Sequence, residues 1–415
     1  MNAGRTSQKL DAAWLREGPL SRLLSVLERD GEEARVVGGA VRNALLGEPV
    51  HECDVATTAV PDEVGRRVSK AGFKAVPTGI AHGTVTVVID GQPFEVTTLR
   101  KDVETYGRHA KVEFGRDWAG DAQRRDFTIN ALSVAPDGTV YDYTGGLADL
   151  AARRVQFIGD ARTRIEEDYL RILRFFRFHA AYGHGNPDQS GLHACIAARA
   201  GLDQLSRERV RMEMMKLLLA VRATPTLAVM SEVGLLLRVL GGVPYLAAFE
   251  MMSKVEHESG VAPDAARRLG ALGVATPEDA DRLWQRLRLT NVEHARLGAM
   301  GAEWWRLSPR QGDQAARAQL YRLKPEHYVD CALLAWARSQ APAHDEAWRA
   351  LVSLPRRWTA PIFPLKAADF MQRGIDKGPA LGAAMRAAEA AWIGAGFPAG
   401  ADALDAIVTA SGQPK

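Results

Sequence analysis

Cysteine is scarce in this protein. Cys53, Cys195 and Cys331 are the only three among 415 residues, and they stand far apart with no paired spacing. That excludes a disulfide framework or a zinc site, and it points to a reducing compartment, the cytoplasm. No apolar run is long enough to span a bilayer, so no membrane association is expected. The N-terminal stretch lacks the apolar core of a signal peptide, and early acids, Asp11 and Glu17, argue against a transit peptide. Charge of one sign is lacking too: 53 Lys and Arg against 50 Asp and Glu leave only +3. Any nucleic-acid partner must therefore meet a local basic surface rather than a global field.

What is present is ordinary soluble-protein composition, 47% hydrophobic and 25% charged, at a length that suits two or three domains. The first third mixes strand and helix signals. Ala34–Val37 reads as a strand entering Gly38-Gly39, followed by a helix that stops at Gly47. Cys53–Ala56 reads as a second strand, and Pro61 opens a helix running through Lys70. Gly83–Ile89 and Phe94–Arg100 are β-rich and joined by Asp90-Gly91, a hairpin signal. Residues 101–122 are polar and Gly-containing and read as a mobile loop; residues 126–142 return to short elements with a turn at Asp137-Gly138. Beyond about residue 150 the pattern is helical, starting with an unbroken run over Ala161–Tyr182, and no fixed-period repeat is present.

Glu52 and Asp54 stand at i and i+2, which on a strand puts both carboxylates on one face. Their mutual repulsion is relieved by a bound Mg²⁺, which takes one or two carboxylates plus substrate phosphates. Glu95 alternates with Phe94 and Val96 and is a third candidate, enough for a two-metal phosphoryl-transfer site. An isolated Glu-x-Asp is more often a solvated pair beside a turn. The preceding residues shift that balance: Gly38 and Gly39 allow close approach of a phosphate at a helix start, and Arg42 can add a charge-assisted bond.

The stretch VVGGAVRNALLGEPVHECDVAT resembles the signature of class II tRNA nucleotidyltransferases and bacterial poly(A) polymerases, members of the polymerase-β-like superfamily. The resemblance runs on through FEVTTLRKDVETYGRHAKVEF, DWAGDAQRRDFTINAL, YDYTGGLADL and RIEEDYLRILRFFRF, covering roughly residues 34–222. It implies an α+β fold: a polymerase-β-like head with a mixed sheet (25–150), a helical neck carrying a nucleotide-recognition helix (151–222), and a helical body and tail expected to bind tRNA (223–415). It also implies that Glu52, Asp54 and Glu95 are the catalytic, Mg²⁺-binding carboxylates. Two positions depart from the usual pattern. The family usually has Asp where this sequence has Glu52, and Arg-Asp where it has Arg42-Asn43. By the same resemblance Arg125, Asp126 and Asn130 belong to a motif that holds ribose and nucleotide; alone, they read as a surface ion pair and a helix cap.

Asp168, Arg171, Arg174 and Arg177 recur every third residue through an otherwise apolar helix. Such a helix is buried, and its charges need partners, either a ligand or an internal ion network. Cytosine and adenine both present an amine donor beside a ring-nitrogen acceptor, whereas uracil and guanine present the reverse. A carboxylate only accepts and a guanidinium only donates, so Asp168 with Arg171 can admit CTP and ATP and reject the other two. The motif at Glu167–Arg171 resembles the family's element assigned that role, and Arg174 and Arg177 match further nucleotide-binding arginines.

Ser206–Leu219 resembles the neck, and beyond residue 222 the likeness fades. His257-Glu258 is not the His-Asp pair of a phosphohydrolase, so no phosphatase activity is expected there. The Gly378-Pro379 entry to a late helix reads as a plain helix start more readily than as a phosphate dock. The expected activity is Mg²⁺-dependent addition of CMP and AMP to the tRNA 3′ end, with tRNA, CTP and ATP as partners and no protein partner indicated. The part of 101–122 spanning Tyr106-Gly107-Arg108-His109-Ala110 resembles the loop of members that add both nucleotides. Alternatives are an enzyme that adds only the terminal adenosine, a poly(A) polymerase, and an inactive RNA-binding homologue.

Overall fold

The computed structural model describes residues 4–79, 83–106 and 109–411. Two compact units divide the protein, Met1–Leu235 and Leu236–Lys415.

The first unit is built on a mixed eight-stranded sheet. Its strands are β1 (Arg5–Lys9), β2 (Ala34–Val37), β3 (Asp54–Thr57), β4 (Lys74–Gly79), β5 (Thr84–Ile89), β6 (Gln92–Thr98), β9 (Ser133–Val134) and β10 (Thr139–Tyr141), while β7 (Arg100–Tyr106) and β8 (His109–Phe114) form a separate hairpin. Across the sheet the order is β1-β10-β9-β2-β3-β6-β5-β4. Among the described residues only β3 and β6 pair in parallel; the other neighbours are antiparallel. The β5–β6 turn matches the expectation from Asp90-Gly91: φ is +51° and +79° at these residues, as a two-residue primed turn requires. Along β5 buried and half-buried residues alternate, with Val85, Val87 and Ile89 inward. The helix Pro61–Lys70 covers this region with Val64 and Val68 buried, as the sequence indicates.

Four expectations are corrected. Strand β3 starts at Asp54 rather than Cys53, so Glu52 lies in the irregular segment before it. The stretch 101–122 is not a loop: it supplies most of the β7–β8 hairpin and most of the helix Trp118–Gln123, capped by Asp117. Val103, Thr105, Tyr106, Val112 and Phe114 favour extended backbone, a signal that the glycines obscured. Gly107 and Arg108 lie outside the described residues. The run Ala161–Tyr182 is two helices, Ala161–Glu167 and Leu170–Tyr182, because Asp168 is extended (φ −157°) and its Oδ1 accepts the Leu170 N–H at 3.1 Å. Finally, β1 joins the sheet from a position N-terminal to the expected start of the head at residue 25.

An aromatic cluster fixes the Leu170–Tyr182 helix beside the segment that carries Asp126 and Asn130. Phe127 packs on Phe157 and Phe178 with ring centroids 4.9 and 5.3 Å apart, and Phe157 stacks on Phe175 at 5.4 Å. Arg35, on β2, inserts its guanidinium between the rings of Trp118 and Tyr141, 4.0 and 3.6 Å from their centroids.

The second unit is helical. Its core gathers Met252, Leu320, Tyr328, Trp336 and Leu351, and a second cluster gathers Phe370, Ala388, Trp392 and Val408. Buried within this unit, Glu256 accepts from Arg267 and Arg268, and Asp330 accepts from Arg267 and Arg296, each at 2.8 Å. The segment Asp313–Arg338 is one helix broken at Lys324 (φ 65°, ψ 161°), directly before Pro325, which disfavours helical backbone at its predecessor.

Candidate active site

The sheet register brings the first carboxylates together. Val37 pairs with Asp54 across β2 and β3, and Val55 pairs with Val96 across the parallel β3 and β6. Asp54 therefore stands between the Gly38 turn and Glu95. Although Asp54 opens onto the cavity, desolvation by the surrounding walls raises its carboxyl's pKa first, and the charges of Glu95 and Glu52 raise it further against the pull of Arg125. Asp54 and Glu95 line one cavity of about 580 Å³; Glu52, exposed in the segment before β3, is not among the lining residues. No group of three His, Cys, Asp or Glu side chains is assembled closely enough to enclose a metal among the described residues. Two oxygen donors whose negative charges crowd one another nevertheless fit a hard divalent cation that keeps water and phosphate as its other ligands.

The same cavity is lined by a wall of six arginines, Arg42, Arg124, Arg125, Arg171, Arg174 and Arg177. Gly38 makes room for one of them, while Gly39 leaves ordinary contact distance to another. A Cβ on Gly38 (φ +70°) would lie 3.3 Å from Arg125 Nη1, and one on Gly39 would lie 3.6 Å from Arg42 Nη2. The Gly38 N–H donates to the Leu132 carbonyl at 3.0 Å, so it is not among the amides the helix start offers.

Most of the wall is held by acids. Arg174 Nε donates to Asp126 Oδ2 at 2.7 Å, and the Asn130 amide donates to Asp126 Oδ1 at 3.1 Å. Burial alone would raise the Asp126 pKa; Arg174 and these hydrogen bonds outweigh it and hold the carboxyl below its ordinary value. Arg177 pairs with Glu213, and Asp121 bridges Arg124 and Arg125. The stripe Asp168, Arg171, Arg174, Arg177 thus faces the cavity and also belongs to an internal ion network, combining the two readings left open by the sequence.

Asp168 and Arg171 both line the cavity, but they do not pair with each other. Asp168 Oδ2 accepts from Arg209 at 2.6 Å, while Arg171 Nη1 donates to the Arg164 carbonyl at 2.6 Å and pairs with Glu167. Sequence reasoning missed Arg209 and Glu213, which reach the stripe from the helix Arg207–Leu218, and Asp121 and Tyr182. Charges four residues apart occupy one helical face, so the spacing put Arg209 and Glu213 on a common face without naming the partners they take.

Residues 34–156 match the family model described as Poly A polymerase head domain, and residues 188–250 match that described as probable RNA and SrmB-binding site of polymerase A. The mitochondrial CCA tRNA nucleotidyltransferase 1 of Danio rerio is 34% identical over 379 residues, covering 89% of this chain and 85% of the relative. The chain belongs to the CCA-adding enzyme family. Another member, the CCA-adding enzyme of Limosilactobacillus fermentum, is 31% identical over 88% of this chain and 90% of its own. Among solved structures, the Bacillus stearothermophilus CCA-adding enzyme in complex with CTP superposes with a TM-score of 0.73 at 28% identity, covering 93% of this chain and 94% of that one. The Thermotoga maritima CCA-adding enzyme complexed with tRNA shares the fold at a TM-score of 0.69 and 16% identity, covering 97% of this chain and 98% of that one. Membership in the CCA-adding family and the mixed-sheet head with a helical remainder both agree with the resemblance read from the sequence. No helix among the described residues is long and apolar enough to cross a membrane.

Proposed function

We propose that this protein adds CMP and AMP from CTP and ATP to the 3′ end of tRNA without a nucleic-acid template. The observation that carries the reading is one cavity lined by Asp54 and Glu95 together with six arginines. A triphosphate in this cavity would have its charge answered by arginine, which also stabilises charge on the departing pyrophosphate. Asp54 and Glu95, with Glu52 nearby, would hold the divalent ions, and we take Mg²⁺ as the ion. Bound there, such ions polarise the phosphoryl oxygens and favour the ionised 3′ hydroxyl of the RNA. The protein's own part is to hold substrates in line: Arg125, Arg174 and Arg177 for the phosphates, Asn130 with Asp126 for the ribose side.

Asp168 and Arg171 are proposed to read the base. Both face the cavity, and an acceptor beside a donor matches the pairing edge shared by cytosine and adenine. Arg209 leaves Asp168 Oδ1 as the oxygen nearer to free, since its other bond is local. The helical residues beyond 222 are proposed to grip the tRNA. We place the protein in the cytoplasm, a reading supported by three unpaired cysteines, while several relatives are mitochondrial forms.

The test is to incubate purified protein with tRNA ending before the first C, with CTP and ATP separately and together, and to sequence the products. C, C and A in order are expected. Addition of adenosine alone, only to tRNA already ending in CC, would mean that the enzyme is specific for the terminal nucleotide; long adenosine tracts on arbitrary RNA would make it a poly(A) polymerase.

A further inference from the structure

A buried guanidinium needs its charge answered. Arg42 is only 6% exposed, and every hydrogen bond it donates in the structure ends on a neutral group. Nε and Nη2 donate to Asn43 Oδ1 at 3.2 and 2.9 Å. Nη1 donates to Asn130 Oδ1, and Nη2 donates to the Tyr182 hydroxyl at 2.7 Å. The Tyr182 ring lies 3.9 Å from its Cζ. No ion pair to Arg42 is formed among the described residues, and the neighbouring acids are engaged elsewhere: Asp126 with Arg174, Glu213 with Arg177, Asp121 with Arg124 and Arg125. Arg177 adds to the positive potential at Arg42, and Glu48 opposes it only weakly.

We propose that Asn43 is a positioning residue that sets nucleotide affinity: it holds Arg42 with a neutral acceptor, so that this buried positive charge is answered by a phosphate of the bound nucleotide. The inference rests on the nucleotide-binding reading of the cavity, which Arg42 lines. An aspartate at position 43 would put a full negative charge where Oδ1 now lies, 2.9 Å from Nη2, and would satisfy Arg42 internally. A phosphate would then have to compete with a covalently tethered carboxylate. Asn43 Nδ2 also donates to the Pro49 carbonyl at 3.1 Å, so loss of that bond must be separated from the gain of charge.

The experiment compares wild type, Asn43→Asp and Asn43→Ala as full-length proteins. CTP binding is measured by titration calorimetry in EDTA, and KM and kcat for CTP and ATP are measured on tRNA with Mg²⁺. Both variants lose the Pro49 bond; only one gains charge. Asn43→Asp is expected to weaken CTP binding and raise both nucleotide KM values by about tenfold, with kcat changed by less than about threefold, whereas Asn43→Ala stays within about threefold throughout. Affinity of Asn43→Asp equal to wild type, an equal loss in Asn43→Ala, or no CTP binding by wild type would each overturn the inference. If Asn43→Asp does not fold, Asn43→Glu supplies a negative charge from the same position and must give the same loss. Failure of the functional reading is seen separately, in the sequenced tRNA products.

Discussion

Asp126 and Arg174 form the ion pair that couples the segment after the helix Trp118–Gln123 to the helix Leu170–Tyr182, with Nε 2.7 Å from Oδ2 and Asp126 itself 8% exposed. The pair presents Arg174 to the cavity in one orientation. Asp126→Asn should leave the fold intact but free the arginine, lowering kcat/KM for both nucleotides by about ten- to a hundredfold. Steady-state kinetics with CTP and ATP, alongside a melting curve, checks this; unchanged kinetics would reduce the pair to a structural tie.

Removing Asp54 takes away the donor at the end of β3 that faces Glu95. Asp54→Ala is expected to abolish nucleotide transfer, a loss of at least about a thousandfold, while tRNA binding measured by filter retention stays near wild type. Near-native turnover would remove Asp54 from the chemistry. Glu52 stands apart, exposed and outside the cavity lining. Glu52→Asp should therefore remain active.

Base choice should depend on Asp168 and Arg171. Alanine at either position is expected to raise UTP or GTP incorporation relative to CTP and ATP by about tenfold or more, since a mismatched base no longer leaves a buried group unpaired. Competition assays with mixed nucleotides read this directly. Unchanged preference in both variants would exclude them from recognition. Because Arg209 holds Asp168, Arg209→Ala should shift selectivity in the same direction by a smaller factor.

His179 provides a pH test of the neck. Its buried ring has a pKa lowered from 6.5 to about 4, by desolvation first and by Arg222 second. Between these values the unfolded state binds a proton that the folded state refuses, so stability rises with pH across the window and falls as pH drops below 6.5. The full loss by pH 4 is about 3 kcal/mol. Denaturant melts between about pH 4 and pH 7 should show this slope, and His179→Leu should flatten it. Equal slopes in both proteins would remove His179 as the cause.

Local signals were the legible part of the sequence. Asp90-Gly91 announced the hairpin that sets Glu95 in register, and Pro61 announced its helix. The nearness of Asp54 and Glu95 followed from alternation on strands, although the Glu52 placement failed because β3 starts only at Asp54. Non-local pairing was not legible. Nothing in the spacing says that Arg209, 41 residues from Asp168, will take that carboxylate, or that Glu213 will hold Arg177. The break at Asp168 was hidden too, since it depends on a side chain accepting a backbone N–H rather than on Gly or Pro. The β7–β8 hairpin was hidden behind polar composition, which describes solvation better than backbone conformation.

The break at Lys324 has a consequence for how the second unit opens. Before the break, Ala316 and Leu320 belong to one apolar cluster, while Ala318 and Tyr321 pack against the other; after it, Tyr328 to Ala337 serve the first cluster alone. The cluster around Phe370 and Trp392 therefore shares only the leading half of that helix with its neighbour. Amide hydrogen exchange should sort the helix into two tiers. Protection after Pro325 should follow global unfolding, and residues 363–408 should exchange together through a smaller, separate opening.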